Sequence, residues 1–262
     1  MGQKINCQKI TDTILANIKN INNIPSLHII TSEVDTEITF DDIATVSEQV
    51  GINCINLNVS TIDNFYQTID MLNNDNKCRG IFINTLYKSF IERQVNIYSL
   101  INPMKDVSAK NIIATGLTIY NNNIVYQPKI MIVMRLLQEL DLKLAGLPVT
   151  IVDFNNELSP QLAALLLNKG CNITICNQYT KNLRRYTKYN EVIISLIGKK
   201  YKYAENSIKD DSIFIDLDIL DGTNNSESIK EKFQFYTEAA EIKQLYIAYI
   251  LYNFIRLLQL ST

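Results

Sequence analysis

The stretch TIVDFNNELSPQLAALLL, residues 150–167, decides the fold. Its β-branched start, from Val149 to Val152, reads as a buried strand, and after a short turn Ser159 and Pro160 open a helix. At such a strand–turn–helix, open α/β sheets hold the phosphates of a dinucleotide, using glycines that let backbone and phosphate come close. This turn has no glycine. The fold and the chemistry of the turn therefore have to be read separately.

Outward from this stretch the elements alternate. Toward the N-terminus, residues 4–19 have helical spacing through Ile10, Ile14, Leu15 and Ile18. A strand at 26–31, a helix at 40–51 stopped by Gly51, and the strand INCINLNV follow. Next come the helix IDNFYQTIDMLNND, the strand GIFINTL (80–86) and the helix RQVNIYSLIN, closing at Pro103. This βαβαβ order predicts a parallel sheet. A second series holds a helix at 129–140, the strand VTIV, a helix at 160–168 ended by Gly170, and the strand NITICN. TKNLRRYTKYN is polar and starts a helix; EVIISLIG and SIFIDLDIL read as buried strands, and 221–234 as loop. The apolar run 244–260 carries Asn253 and Arg256 and is short for a membrane span, so it reads as a buried terminal helix. The expectation is an α/β protein of two lobes with a cleft between them, the second lobe Rossmann-like, and the terminal helix packing back onto the first. The boundaries are 1–120 plus 243–262 for the first lobe and 121–242 for the second.

Composition narrows the function. A chain of 262 residues with 47% apolar and 20% charged residues can bury one large or two modest cores. A net charge of −2 supplies no general attraction to nucleic acid or anionic membrane. The five cysteines are scattered, odd in number and without a CxxC, which argues against a disulfide framework and for a reducing compartment, cytoplasm or organelle matrix. The single histidine, His28, sits in the apolar run SLHIITS and reads as core strand, leaving a His-rich metal site or a Ser/His/Asp triad without members. No metal site is expected. The N-terminal segment lacks the apolar core of a secretory signal, and Asn6 stands where myristoylation after Gly2 wants Ser or Thr.

A family resemblance runs along nearly the whole chain. KCRGIFINTLYKSFIERQVNIYSLINPMKDVSAKN (77–111) resembles the segment GILVQLPLP…I.P.KDVDG of methylenetetrahydrofolate dehydrogenase/methenyltetrahydrofolate cyclohydrolase enzymes. In the same order, ATGL (114–117) stands at NVG, YQP (126–128) at CTP, and LAGLPVTIV (144–152) at the strand before the cofactor turn. ELSPQLAALLLNKGCNITICNQYTKNL (157–183) resembles VGRP…LLL..GATVT…TKNL, SIFIDLDI resembles AIVIDVGI, and KINCQKITDTI the opening helix. Each match is weak alone; their collinearity carries the assignment. The resemblance implies a first α/β lobe completed by the C-terminal helix, a Rossmann lobe, oxidation of methylene-tetrahydrofolate with NADP or NAD, hydrolysis of the methenyl product, and homodimers formed through the Rossmann lobe.

The same resemblance locates the family's functional positions. Counting back from Val50, Gly51 and Ile52, the catalytic Y-x-x-x-K falls on Thr39 and Ile43. Between Asn20 and Cys78 the only lysine is Lys77, so no shift of register restores the amine, and isoleucine cannot exchange a proton. Ile43 then reads as one apolar position of an amphipathic helix. The assisting glutamine is Asn84, the prolines after it are Leu86 and Lys88, and the pterin-holding aspartate is Ser108. Lys105 and Asp106 remain as remnants of the substrate pocket. One hydroxyl cannot accept both N–H bonds of a pterin edge, and each group left unpaired costs about 1–3 kcal/mol. The cofactor pattern G-x-S-x-x-V-G-x-P falls on residues 152–160: Val152 and Leu158 replace glycines, Asp153 and Phe154 follow, and Glu157 adds a second negative charge. Charges of this sign oppose a pyrophosphate. Thr180 belongs to the retained TKNL, where it reads equally as a cap for the next helix. PVPGGVGPMT aligns with TEAAEIKQLY (237–246), which keeps none of its glycines or prolines.

Beyond Gly2, the glycines fall mostly where the family ends a helix or starts a strand, and none at a ligand-binding glycine. The favoured reading is a folded homologue, inactive or impaired, with a scaffold or regulatory role. It is expected to bind no cofactor tightly and to pair with itself or a related chain. Two alternatives stand beside it. One is a diverged but active NAD(P)-dependent enzyme that still takes a folate-type molecule. The other is RNA association through YTKNLRRYTKYN (179–190) and KKYKY (199–203), against which a solvated basic face with snorkelling side chains is the favoured reading.

Overall fold

The structure, a computed structural model, describes residues 2–19, 21, 24–32, 38–84, 97–154, 158–197, 203–218 and 227–260. The chain divides into two compact units. One comprises Met1–Ile10, Thr118–Asn121 and Lys129–Leu245; the other comprises Thr11–Leu117, Asn122–Pro128 and Tyr246–Thr262.

The second of these units is built on three parallel strands, β2 (Leu27–Thr31), β3 (Cys54–Asn58) and β4 (Ile81–Ile83), in the order β3-β2-β4; β1 (Gln3–Lys4) belongs to the other unit. Helix α2 (Phe40–Gln49) begins at Thr39 and gives way to Gly51, whose φ of +75° is a left-handed value that glycine adopts without strain. Helix α3 (Ile62–Asn74) buries Phe65, Ile69 and Leu72 against Ile30, Ile81 and Ile83. Strands buried on both faces need apolar runs rather than alternation, which is how LHII and IFI read. Gly80 meets a packing demand: a Cβ there would lie 2.4 Å from the Phe254 ring. Phe254 belongs to the terminal helix Ala239–Leu260, whose residues from Tyr246 onward join this unit, so this part of the apolar run is indeed core.

The other unit carries six parallel strands in the order β1-β9-β8-β7-β5-β6: β1 (Gln3–Lys4), β5 (Pro148–Asp153), β6 (Asn172–Cys176), β7 (Val192–Leu196), β8 (Ser212–Asp216) and β9 (Phe233–Tyr236). β5 lies between β6 and β7, so the chain leaves it in one direction and later returns on the other side. This is the topological switch of a Rossmann-type sheet, and ligands of such sheets bind outside the carboxyl ends of the strands there. Numbered onward, the described α-helices are α1 (Cys7–Lys19), α4 (Ile112–Ile119), α5 (Pro128–Glu139), α6 (Ser159–Asn168), α7 (Arg184–Thr187), α8 (Glu227–Lys230) and α9 (Ala239–Leu260).

Several expectations need correction. The first ten residues do not lie with the folate-type lobe: Gln3 and Lys4 pair with Phe235 and Tyr236, extending the Rossmann-type sheet. The stretch 221–234 is not all loop, since it includes α8 and the start of β9; residues 221–226 lie outside the described residues. Over 93–102 the described part is a single 3-10 turn, Ile97–Leu100, rather than an α-helix. The helix expected from TKNLRRYTKYN shrinks to Arg184–Thr187. Of GIFINTL, only Ile81–Ile83 is strand among the described residues.

Candidate functional site

The turn after β5 is the first place to look. Asp153, at the end of the strand, is 1% exposed. Its Oδ2 accepts the backbone N–H groups of Leu158 and Ser159, both at 2.9 Å. Those N–H groups open α6, whose own N-cap side chain, Leu158, makes no capping bond. A helix start offers unpaired N–H donors and the positive end of the helix dipole, which is why phosphates bind there. Here the protein's own carboxylate takes those two donors. Val152 and Leu158, at the two glycine positions, are buried at 0% and 2% exposure, and Phe154 packs on the cluster of Leu183, Tyr203 and Phe214. An anionic side chain and two apolar side chains thus stand at this helix start, with the Leu158 and Ser159 N–H groups already bonded. Residues 155–157, including Glu157, lie outside the described residues.

Thr180 sits at the next turn along. Its Oγ1 accepts the N–H of Asn177 at 2.9 Å, and its own N–H donates to the Asn177 carbonyl at 3.0 Å. It closes the turn after β6 and does not cap α7, whose N-cap position is Leu183. Asn182 adopts φ +60°.

In the other unit, each family position has a structural task. Thr39 Oγ1 accepts the N–H of Asp42 at 3.1 Å while Asp42 Oδ2 accepts the N–H of Thr39 at 2.8 Å, a reciprocal capping box. Four residues on, Ile43 is 0% exposed, and its carbonyl accepts the Ser47 hydroxyl at 2.7 Å. Asn84 Nδ2 donates to the Ile38 carbonyl at 2.7 Å, so its amide ties the end of β4 to the entry of α2. Lys105 Nζ donates to the carbonyls of Leu72, Asn73 and Asp75 at 2.8–2.9 Å, completing the C-terminal end of α3, where cations are favoured. Asp106, 1% exposed, accepts from the Ser108 N–H at 2.9 Å, the Ser108 hydroxyl at 2.5 Å and the Asn111 N–H at 2.7 Å. Burial pushes the Asp106 carboxyl up, opposed by these bonds. Ser108 is thus turned onto Asp106.

Two residues that the sequence did not single out for this region hold it together. Asn111 Nδ2 donates to the Tyr98 and Ile101 carbonyls at 3.1 and 2.8 Å. Asn253, fully buried in α9, donates to the carbonyls of Val107 and Tyr126 at 2.9 and 2.8 Å. Asparagine within an apolar helix was the available signal, because a buried amide needs partners. Burial pushes the Cys7 thiol up to about 12 and the Cys176 thiol up to about 11, which disfavours the thiolate. Among the described residues no three His, Cys, Asp or Glu side chains gather as metal ligands, and no helix is long and apolar enough to cross a membrane.

Fold and site together define a two-unit α/β protein whose Rossmann-type unit has, after β5, a carboxylate bonded to the N–H groups that open the next helix. Residues 129–250 match the model of the tetrahydrofolate dehydrogenase/cyclohydrolase, NAD(P)-binding domain. The bifunctional protein FolD of Fusobacterium nucleatum is 31% identical over 199 residues, covering 72% of this chain and 69% of that one. The FolD of Mesoplasma florum is 31% identical over 159 residues, and there the match spans 60% of this chain and 55% of the relative's length. The chain belongs to the tetrahydrofolate dehydrogenase/cyclohydrolase family. In fold it is similar to the 5,10-methylenetetrahydrofolate dehydrogenase of the silkworm Bombyx mori, with TM-score 0.88, 20% identity and 100% and 99% of the two chains covered. It is similar also to the bifunctional FolD of Campylobacter jejuni, with TM-score 0.87, 21% identity and both chains covered in full.

Proposed function

We propose that this chain keeps the family fold without the parental reaction and serves as a scaffold or regulatory partner in one-carbon metabolism, paired with itself or with a related chain. The observation that carries the reading is Ile43. The position that the resemblance assigns to the catalytic lysine holds an isoleucine with no solvent exposure, in a helix whose start and packing are complete. Asp153 supports it, since a nucleotide would have to displace a buried carboxylate from two hydrogen bonds. The polar remnants Asn84, Lys105 and Asp106 already bond to backbone groups. On this reading neither NADP nor NAD binds tightly, and the family's folate-type substrate is not turned over.

The test is a dehydrogenase and cyclohydrolase assay on purified, cooperatively folding protein, with thermal unfolding in NADP, NAD and a tetrahydrofolate analogue. A ligand at a hundred times its dissociation constant adds about 2.7 kcal/mol to stability. The proposal expects neither turnover nor a shift with either nucleotide. Turnover would make the chain a diverged enzyme that found another proton carrier.

A further inference from the structure

Away from the turn after β5, the short helix α7 presents a second feature. Its inward side is pinned. Buried Thr187 donates from Oγ1 to the Ser207 carbonyl at 2.5 Å, Asn190 Nδ2 donates to the Tyr186 carbonyl at 2.8 Å and to Thr150 Oγ1, and Thr150 Oγ1 donates to the Tyr186 carbonyl at 3.0 Å. The outward side carries Arg184, Arg185, Lys188 and Tyr189. Neither these three cations nor Lys181 forms an ion pair among the described residues. Arg184, Arg185, Lys188 and Tyr189 line with Asn182 a depression of about 270 Å³, with no acid in its wall among the described residues. Lys188 also lines a second depression of about 470 Å³ with Lys209 and Lys232, where the one acid, Asp210, is paired with Lys232 at 3.4 Å.

The lysines of this face lie away from the dinucleotide turn: Lys188, Lys209 and Lys232 precede β7, β8 and β9, at the N-terminal edge of a parallel sheet, whereas Asp153 ends β5 at the opposite edge. Tyr179, three residues after the end of β6, lies toward that opposite edge. Snorkelling side chains would lay their apolar parts along the protein. Tyr179 and Tyr189 do not: they are 80% and 72% exposed at either end of the 179–189 segment. A bare aromatic ring, Tyr189, beside cations that form no ion pair among the described residues matches what an unpaired base and a phosphodiester chain require, a stacking face and counter-charges. An acidic peptide would use the cations but not the ring.

We propose that this face binds single-stranded nucleic acid, with Arg184, Arg185 and Lys188 on phosphates and Tyr189 stacking a base. It is independent of the proposed loss of catalysis. The experiment follows fluorescence anisotropy of a labelled oligouridine of about twelve nucleotides with the full chain across a salt series. Three to five phosphate contacts predict a slope of about −2 to −3.5 in log affinity against log salt. The double variant Arg184→Glu, Arg185→Glu should lose more than about tenfold in affinity and flatten the slope. Tyr189→Ala should lose about five- to tenfold with the slope unchanged, because it removes a stacking face and no charge. These side chains are exposed, so the variants should melt like the parent. No binding at low salt, or binding that the arginine variant leaves intact, would overturn the proposal. So would equal competition by poly-glutamate together with unchanged binding in Tyr189→Ala.

Discussion

Replacing Asp153 by alanine isolates the interaction that closes the dinucleotide turn. The carboxylate is 1% exposed and accepts two backbone N–H bonds at 2.9 Å, from Leu158 and Ser159. An ordinary cap loss costs about 0.5–2 kcal/mol. Here both donors are buried with the acid, and each orphaned donor adds a desolvation penalty of about 1–3 kcal/mol, partly relieved if water enters the space. The expected cost of Asp153→Ala is therefore about 2–4 kcal/mol, or a fall of about 5–10 °C in the midpoint of a chain this size. Asp153→Asn keeps an acceptor oxygen at the same place without the charge and should cost about 1 kcal/mol. Urea unfolding followed by circular dichroism measures both. A loss below about 0.5 kcal/mol for Asp153→Ala would refute the reasoning, because the carboxylate would then not be holding the start of α6.

Three further predictions follow from the same geometry. Lys105→Ala removes the donor shared by the Leu72, Asn73 and Asp75 carbonyls and should destabilise by about 1–3 kcal/mol in urea unfolding, as a structural lysine would. Ile43→Lys should fail to restore turnover and should cost at least about 3 kcal/mol, because it places an unpaired ammonium where a side chain has no solvent. Burial holds the His28 imidazole below its ordinary value of 6.5, so the unfolded chain takes up a proton before the folded one does. Stability should fall as the pH drops through 6.5 toward the folded value, and His28→Gln should shrink that fall. Melting temperatures at neutral and mildly acidic pH check this, and the single histidine makes the titration assignable.

The parallel core was legible because strands covered on both faces read as near-continuous apolar runs, interrupted only by a small hydroxyl side chain. VTIV, VIIS and SIFI say so directly, and their buried residues pair in register across β5, β7 and β8. Helix stops were legible at Gly51 and Gly170, whose φ values are +75° and +85°. The two-residue β1 and four-residue β9 were not: each is too short for a period to show; β1 takes its ladder from β9, and β9 lies between β1 and β8. At the site, the residue identities were readable but their tasks were not. Asp153 announced a wrong charge for phosphate, while its capping of Leu158 and Ser159 depends on how the turn folds back. Lys105 and Asn253 act on carbonyls tens to over a hundred residues away, and no local pattern encodes such partners.

On the proposed function, the chain keeps the family fold without the parental reaction. The most direct measurement supplies methylene-tetrahydrofolate with NADP, then NAD, to the folded protein and records the reduced nucleotide and the methenyl product over time. The account predicts a trace indistinguishable from the enzyme-free control. A rate proportional to protein concentration, abolished by heat unfolding, would contradict it.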